Sequence, residues 1–332
     1  MKRVILLGLI ALMVLPGLAM AGGRAETAGT MVLRYGELNP DGHPITEGAY
    51  EFARIVEERT EGRIRVQVFP ASELGSEREQ MQAVQEGAID FFRPNTAAMP
   101  DFDVSEMALL GLPYIFASRE HMWRALNADV GQQILDAVQE SGTRMVGLAY
   151  LDDGARHVFT TDTPVERVRD ISGLAIRVPE NELFMEMVAA MGASPTPIAY
   201  AELYSALQTG VVDGAENTIA GYLTNSFYEP APYLTLNRHM APPGLIVVSE
   251  ITWNRLSEAD QQIVRDAARQ ASEFVTEATV AFEDEGLEEL RARGATIIDP
   301  GDVSDWQEAV MPIWDRFGAG HEDLIQAIQA AD

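Results

Sequence analysis

Three arginines sit where a soluble chain rarely puts charge. Arg93 closes the apolar run AIDFFR, Arg156 follows a glycine in DDGARHVF, and Arg177 lies in LAIRVPE just ahead of Pro179. Each segment reads as a strand or a strand end, and a guanidinium there needs a partner, because charge is seldom buried unpaired. Strand ends in α/β sheets face the crevice where ligands bind. Guanidinium groups placed there suit a carboxylate, which they hold through two parallel hydrogen bonds. The competing reading is three Arg–carboxylate ion pairs on the protein's own surface, which 51 Asp and Glu residues could supply. Residue types alone leave both open.

Other chemistry is poorly represented. The chain contains no GxSxG, GxxxxGK[ST], GxGxxG or HExxH pattern. The histidines at 43, 121, 157, 239 and 321 are scattered without metal-ligand spacing, so no metal site and no cofactor is expected. Acidic pairs such as Asp152-Asp153 read as solvated surface in so acidic a chain. Its only lysine is Lys2, so any anion site must be built from arginine.

The 332 residues suggest two lobes of ordinary size, and 47% hydrophobic with 23% charged residues describes a folded, soluble protein. A formal charge of −27 argues against nucleic acid or anionic lipid as partners. The absence of cysteine removes disulfides, thiolate metal sites and a cysteine nucleophile. Residues 1–21 read as an export signal, with Lys2 and Arg3, the apolar run Val4 to Leu15, and the small-residue cleavage site Ala19-Met20-Ala21. The mature chain is then expected in the periplasm, cleaved near Ala21 and not inserted in the membrane.

Strand and helix patterns alternate in the manner of a helix-covered sheet. Met31–Tyr35, Ile64–Val68, Ala88–Arg93 and Met145–Tyr150 read as strands. Ile45, Ala49, Phe52, Ala53 and Val56 share one helical face, as do Met122, Leu126, Val130, Ile134 and Val138. Past residue 154 the pattern repeats, with strands at Arg156–Thr160, Leu174–Val178 and Gly244–Ser249, and helices at Asn181–Met191 and Ala201–Thr209. From Ser257 to about Arg293 the sequence stays helical, either as one long helix across both lobes or as two helices bent near Phe282–Gly286.

Three motifs of the second half carry a resemblance: Arg177-Val178-Pro179, Gly192–Pro197 (GASPTP) and Ala206–Asn217 (ALQTGVVDGAEN). In this order they resemble the DctP-type solute-binding proteins of TRAP transporters. The likeness extends to ERTEGRIRVQVFPASELGSE, GLPYIF at 111–116 and LSEADQQIVRDAA at 257–268, nearly the whole mature chain. The resemblance implies an α/β, two-lobed, periplasmic-binding-protein-like fold of class II type, with a ligand cleft between the lobes and a long helix spanning both. The lobes are expected at 30–153 plus 243–282 and at 154–242 plus 283–332.

It also implies a site. Arg177 would bind a ligand carboxylate in a two-pronged salt bridge, with Asn217 reaching the ligand from the same lobe, Tyr200 lining the cleft and Arg156 adding a second cationic contact. Glu77 and Asn95 would face it from the other lobe. The segments AIDFFRPNTAAM, GLAYLDDGARHVF and DGAENTIAGYL look most like those of members that bind hexuronates such as D-glucuronate and D-galacturonate. Glu77, Asn95, Glu180, Arg93 and His43 are of types that could partner sugar hydroxyls. The sialic-acid type carries Asn where this chain has Glu180, and the uronate type tends to read ENN where Thr218 follows Asn217 here. Four-carbon dicarboxylates and 2-keto or aromatic acids are the alternative ligands. The expected role is capture of a small organic acid by a monomer without enzymatic activity, for delivery to TRAP membrane permease subunits. A secreted sugar-acid enzyme using Glu77 and Glu180 as an acid/base pair, or a sensor module, is the alternative class.

Overall fold

The computed structural model describes residues 30–331, so the export signal read at 1–21 lies outside the described residues. The strands are, in chain order, β1 (Met31–Gly36), β2 (Ile64–Phe69), β3 (Phe91–Phe92), β4 (Met145–Leu151), β5 (Arg156–Thr160), β6 (Ala175–Val178), β7 (Ser194–Pro197), β8 (Gly214–Thr218), β9 (Tyr233–Met240), β10 (Gly244–Ser249) and β11 (Thr296–Ile298). They form two sheets, of order β2-β1-β3-β10-β4 and β11-β9-β5-β8-β6-β7. Between them run α1 (Pro44–Arg59), α2 (Glu77–Glu86), α3 (Arg119–Asn127), α4 (Asp129–Glu140), α5 (Glu182–Ala190), α6 (Leu203–Gln208), α7 (Ile219–Thr224), α8 (Glu250–Trp253), α9 (Glu258–Ala292), α10 (Ser304–Phe317) and α11 (Glu322–Gln329).

Each sheet is the centre of one lobe. The apolar face of α1 is buried on the first, where Phe52 meets Tyr35 at 5.8 Å and Phe91 at 5.1 Å between ring centroids. Such burial is the main force holding helix to sheet, at ~2 kcal/mol for each large apolar side chain. The chain crosses between sheets at residues 152–155, returns at 241–243, and is spanned by α9, a single helix of 35 residues. On the first lobe α9 donates from Thr279 to the Asp152 carbonyl at 3.0 Å. On the second, Gly286 lets it approach Ile219 and Leu223 of α7. Thus the unbent alternative for residues 257–293 is the one observed.

Two readings need correction. Only Phe91 and Phe92 of the segment Ala88–Arg93 are strand, because Gly87 ends α2 in the left-handed region and Asp90 turns its carboxylate to cap the Arg34 amide at 2.7 Å. The amphipathic run from Met122 to Val138 is two helices, broken at Ala128, whose ψ of 174° is extended. Gly131 allows the two to fold closely, since a Cβ there would lie 2.1 Å from the Leu126 carbonyl oxygen. Near the C-terminus α11 packs on α3 and α4, while α10 packs on α5. Strands β7, β8, β9 and β11 stand out only in the fold.

Candidate functional site

The cleft between the sheets is lined from both lobes, with Glu77, Arg78, Arg93, Asn95 and Asp153 on one wall and Arg156, Arg177, Asn181, Tyr200 and Asn217 on the other. Strand direction explains the convergence. The carboxyl ends of β1, β3 and β4 open onto it from the first sheet, and those of β6 and β8, with the start of antiparallel β5, from the second.

The three arginines flagged by sequence are all buried, at 4% exposure for Arg93, 7% for Arg156 and 2% for Arg177, but they differ in what they hold. Arg93 donates Nε and Nη2 to the two oxygens of Glu37 at 3.2 and 2.8 Å, and its Nη1 lies 3.5 Å from Asp153. Arg156 donates Nε and Nη2 to Glu216 at 2.6 and 2.9 Å, and stacks 4.9 Å over Phe184. Burial alone would raise Glu216, but Arg156 and His239 beside it bring it down to about 2. For these two the ion-pair reading holds, though inside the protein and not on its surface.

Arg177 is different. It makes no ion pair among the described residues; its Nε donates to the Ile198 carbonyl at 2.8 Å, and its buried Nη1 has no partner. Burial without a neutralising carboxylate pushes it down to about 10, which still leaves it cationic at neutral pH. The guanidinium sits 5.6 Å over the Tyr200 ring. A buried cation with a free Nη edge is costly unless something anionic completes it.

Around it are groups for hydroxyls. Asn217 at the end of β8 donates Nδ2 to the Tyr200 hydroxyl at 3.2 Å, and Asn225 donates to the same oxygen at 2.8 Å. That hydroxyl therefore keeps its own proton to donate. Burial pushes the Tyr200 phenol up to about 12. Gly221 is required here, because a Cβ would come within 2.8 Å of the Asn217 amide. Opposite, Ser76 and Glu79 close a capping box that starts α2 and sets Glu77 at its first position. The Glu77 carboxylate accepts from the Asn95 amide at 2.9 Å; burial raises its pKa, and that bond and Arg93 oppose the rise.

Eight of the nine residues read from sequence line the cleft: Arg93, Asn95, Glu77, Arg156, Arg177, Glu180, Tyr200 and Asn217. Glu180 is an exposed residue on it. His43 does not line it. It is 1% exposed and caps α1, its Nδ1 accepting from the Ile45 amide at 3.2 Å, so burial pushes it down to about 4. Asp152 and Asp153, read as solvated, are buried at 0% and 7%. Asp152 pairs with Arg119 at 2.8 Å, and Asp153 with Arg93. Sequence reasoning also missed Asn181, whose Oδ1 caps α5 at 3.0 Å while its buried Nδ2 is unpartnered. Its position directly after RVPE, opening a helix, was the available signal. Arg78 was missed as well; it pairs with Asp101 at 2.8 Å and donates across the cleft to the Glu180 carbonyl at 3.2 Å. Among the described residues no cluster could hold a metal, and no helix is long and apolar enough to cross a membrane.

Residues 35–320 match the family model for the bacterial extracellular solute-binding proteins of family 7, DctP. Solved structures agree. A TRAP periplasmic solute-binding protein from Chromohalobacter salexigens, with bound D-glucuronate, is 34% identical with a TM-score of 0.84, covering 90% of this chain and 100% of that one. One from Xanthobacter autotrophicus, with bound β-D-galacturonate, is 30% identical with a TM-score of 0.87 over 90% and 100%. A third, from Polaromonas, bound to D-erythronate, is 32% identical with a TM-score of 0.87 over 90% and 98%.

Proposed function

The chain belongs to family 7 of the bacterial extracellular solute-binding proteins, and from that premise we propose that it captures a hexuronate such as D-glucuronate or D-galacturonate for a TRAP permease. One observation carries this reading: Arg177 is the buried arginine of the cleft whose fork no carboxylate of the described residues occupies. Its Nη edge takes the ligand carboxylate, since Nε is committed to Ile198. The Tyr200 hydroxyl, Asn217 and Asn181 hold oxygens beside it, and Asn95 and Glu77 take hydroxyls from the facing lobe. Arg156 and Arg93 shape the walls, each already neutralised by carboxylates of the chain.

The bound solute draws the lobes together. We place their division at 30–153 plus 243–282 against 154–242 plus the chain from 283, with α11 returning to the first lobe. Closure at the crossings 152–155 and 241–243 follows from the ligand touching both walls, and its extent is set by the differential affinity for the closed form. Nothing in this cycle breaks a bond in the solute. The protein acts as a non-enzymatic, exported component in the periplasm, and the membrane permease receives the load.

A thermal-shift screen tests the ligand class, using glucuronate, galacturonate, erythronate, succinate, pyruvate and sialic acid. A ligand at 1,000 times its dissociation constant adds ~4.1 kcal/mol, a shift of many degrees. Stabilisation by the uronates above the rest is expected. Stabilisation by succinate or pyruvate alone would overturn the sugar-acid assignment while keeping Arg177 as the clamp. Conversion of a uronate by the purified protein would return the case to the enzyme reading.

A further inference from the structure

Four acids line the cleft, and three are accounted for: Asp101 by Arg78 at 2.8 Å, Asp153 by Arg93 at 3.5 Å, and Glu180 by its exposure. Glu77 has no cation within ion-pair distance among the described residues. Its one hydrogen bond among these residues is accepted on Oε1 from the Asn95 backbone N–H at 2.9 Å. The opposite wall shows the mirror image, a buried Arg177 with no anion. The cleft thus has one uncompensated positive pole and one uncompensated negative pole, on different lobes.

We infer that Glu77 is a specificity-determining residue that restricts the site to acids with a single carboxylate, an inference resting on Arg177 as the carboxylate clamp. A solute lying between the poles puts its carboxylate on Arg177 and hydroxyl donors against Glu77, which as an ionised carboxylate only accepts. Besides the Arg177 clamp, a second carboxylate finds no free fork on a buried arginine among the described residues, and the half-exposed Arg78 already spends Nη2 on Asp101 and the Glu180 carbonyl. Arg93 spends Nε and Nη2 on Glu37 and faces Asp153 with Nη1, while Arg156 spends Nε and Nη2 on Glu216. It meets Glu77 instead, and like charges brought together out of water cost affinity steeply. Rejection of dicarboxylates is therefore built as a repulsive contact, not merely as a missing attraction.

The test uses open-chain pairs differing only in the terminal carbon, CH2OH or carboxylate: D-erythronate with meso-tartrate, and D-gluconate with D-glucarate. Their affinities are measured at pH 8 by calorimetric competition against D-galacturonate, in the wild type, Glu77→Gln and Glu180→Gln. Gln keeps an oxygen for the Asn95 amide, and Glu180→Gln controls for loss of any acid near the cleft. The wild type is expected to favour the monocarboxylate of each pair by about 100-fold. Glu77→Gln should gain dicarboxylate binding and narrow that ratio at least tenfold, and Glu180→Gln should leave it within about threefold. The inference is overturned by a wild type that binds the dicarboxylates equally well, whatever the variants do. It is also overturned if Glu77→Gln gains no dicarboxylate binding, or if Glu180→Gln gains as much. Failure of the wild type to bind galacturonate at all strikes the parent reading first, and is told apart by that control.

Discussion

The two walls of the cleft treat a buried arginine in opposite ways. On the first lobe Arg93 is closed in by Glu37 and Asp153, so its charge is spent inside the protein. On the second, Arg177 is more deeply buried and no carboxylate of the described residues meets it. Arg156, on β5 of the same sheet, shows that the second lobe can neutralise an arginine when it needs only structure, for it is held at two points by Glu216. A paired buried arginine organises a wall; an unpaired one carries a cost that a ligand relieves. Burial does not distinguish these roles, but partners do.

The largest effect is expected from breaking a pair. Glu216→Gln keeps the shape but strands Arg156 in the core, and removing one partner of a buried pair costs about 3–5 kcal/mol. Chemical denaturation should show that loss directly. Acid should mimic it: with Glu216 held at about 2 when folded and near 4.3 when unfolded, its contribution is complete above the unfolded value and is lost as pH falls through 2.

Arg177 should behave the other way round. Arg177→Lys retains charge but not the fork, and is expected to lose about 2–5 kcal/mol of uronate affinity by calorimetry. Arg177→Met should abolish binding while leaving the ligand-free protein as stable or more stable, because an unpaired buried cation is removed. A ligand-free protein destabilised as severely as Glu216→Gln would erase the distinction between the two arginines.

Much of this was legible in the chain. Strands β1, β2 and β4, the α1 face and the 257–293 helix follow from periodicity, and the motifs around RVP and DGAEN mark the second wall. What stayed hidden were partnerships. Nothing near Arg156 in sequence announces Glu216, 60 residues on, because strand pairing between β5 and β8 makes that neighbour. Likewise Asp152-Asp153 looks like surface until the connection between β4 and β5 turns one carboxylate to Arg119 and the other to Arg93. His43 misled for a related reason: the type fits a hydroxyl partner, but its place ahead of Pro44 makes it a helix cap.

His43 supplies a third, smaller effect on the first lobe. Buried and held to about 4, against 6.5 when unfolded, it is neutral in the native state and binds a proton on unfolding. Stability from this group is therefore complete above pH 6.5 and falls as pH drops through 4, by on the order of 3 kcal/mol. Buried His157 and His239, both lowered first by burial, add in the same direction. His43→Asn, which can still cap α1, should flatten the stability profile between pH 6.5 and 4 without changing uronate affinity at pH 8.

The smallest effect concerns contact between the walls. Arg78 stands on α2 of the first lobe, pairs with Asp101 and reaches the Glu180 carbonyl of the second. Its side chain is 45% exposed, so the bond is worth about 0.5–1 kcal/mol at most. Yet the bond exists only when the lobes are together, so its loss falls on the closed state alone. Arg78→Ala is therefore expected to raise the uronate dissociation rate about two- to fivefold, with little change in association rate or in ligand-free stability. Stopped-flow kinetics separates these. An equal loss in the association rate would mean that Arg78 steers the anion inward and does not hold the cleft shut, and the contrast between the walls would then extend to their rims.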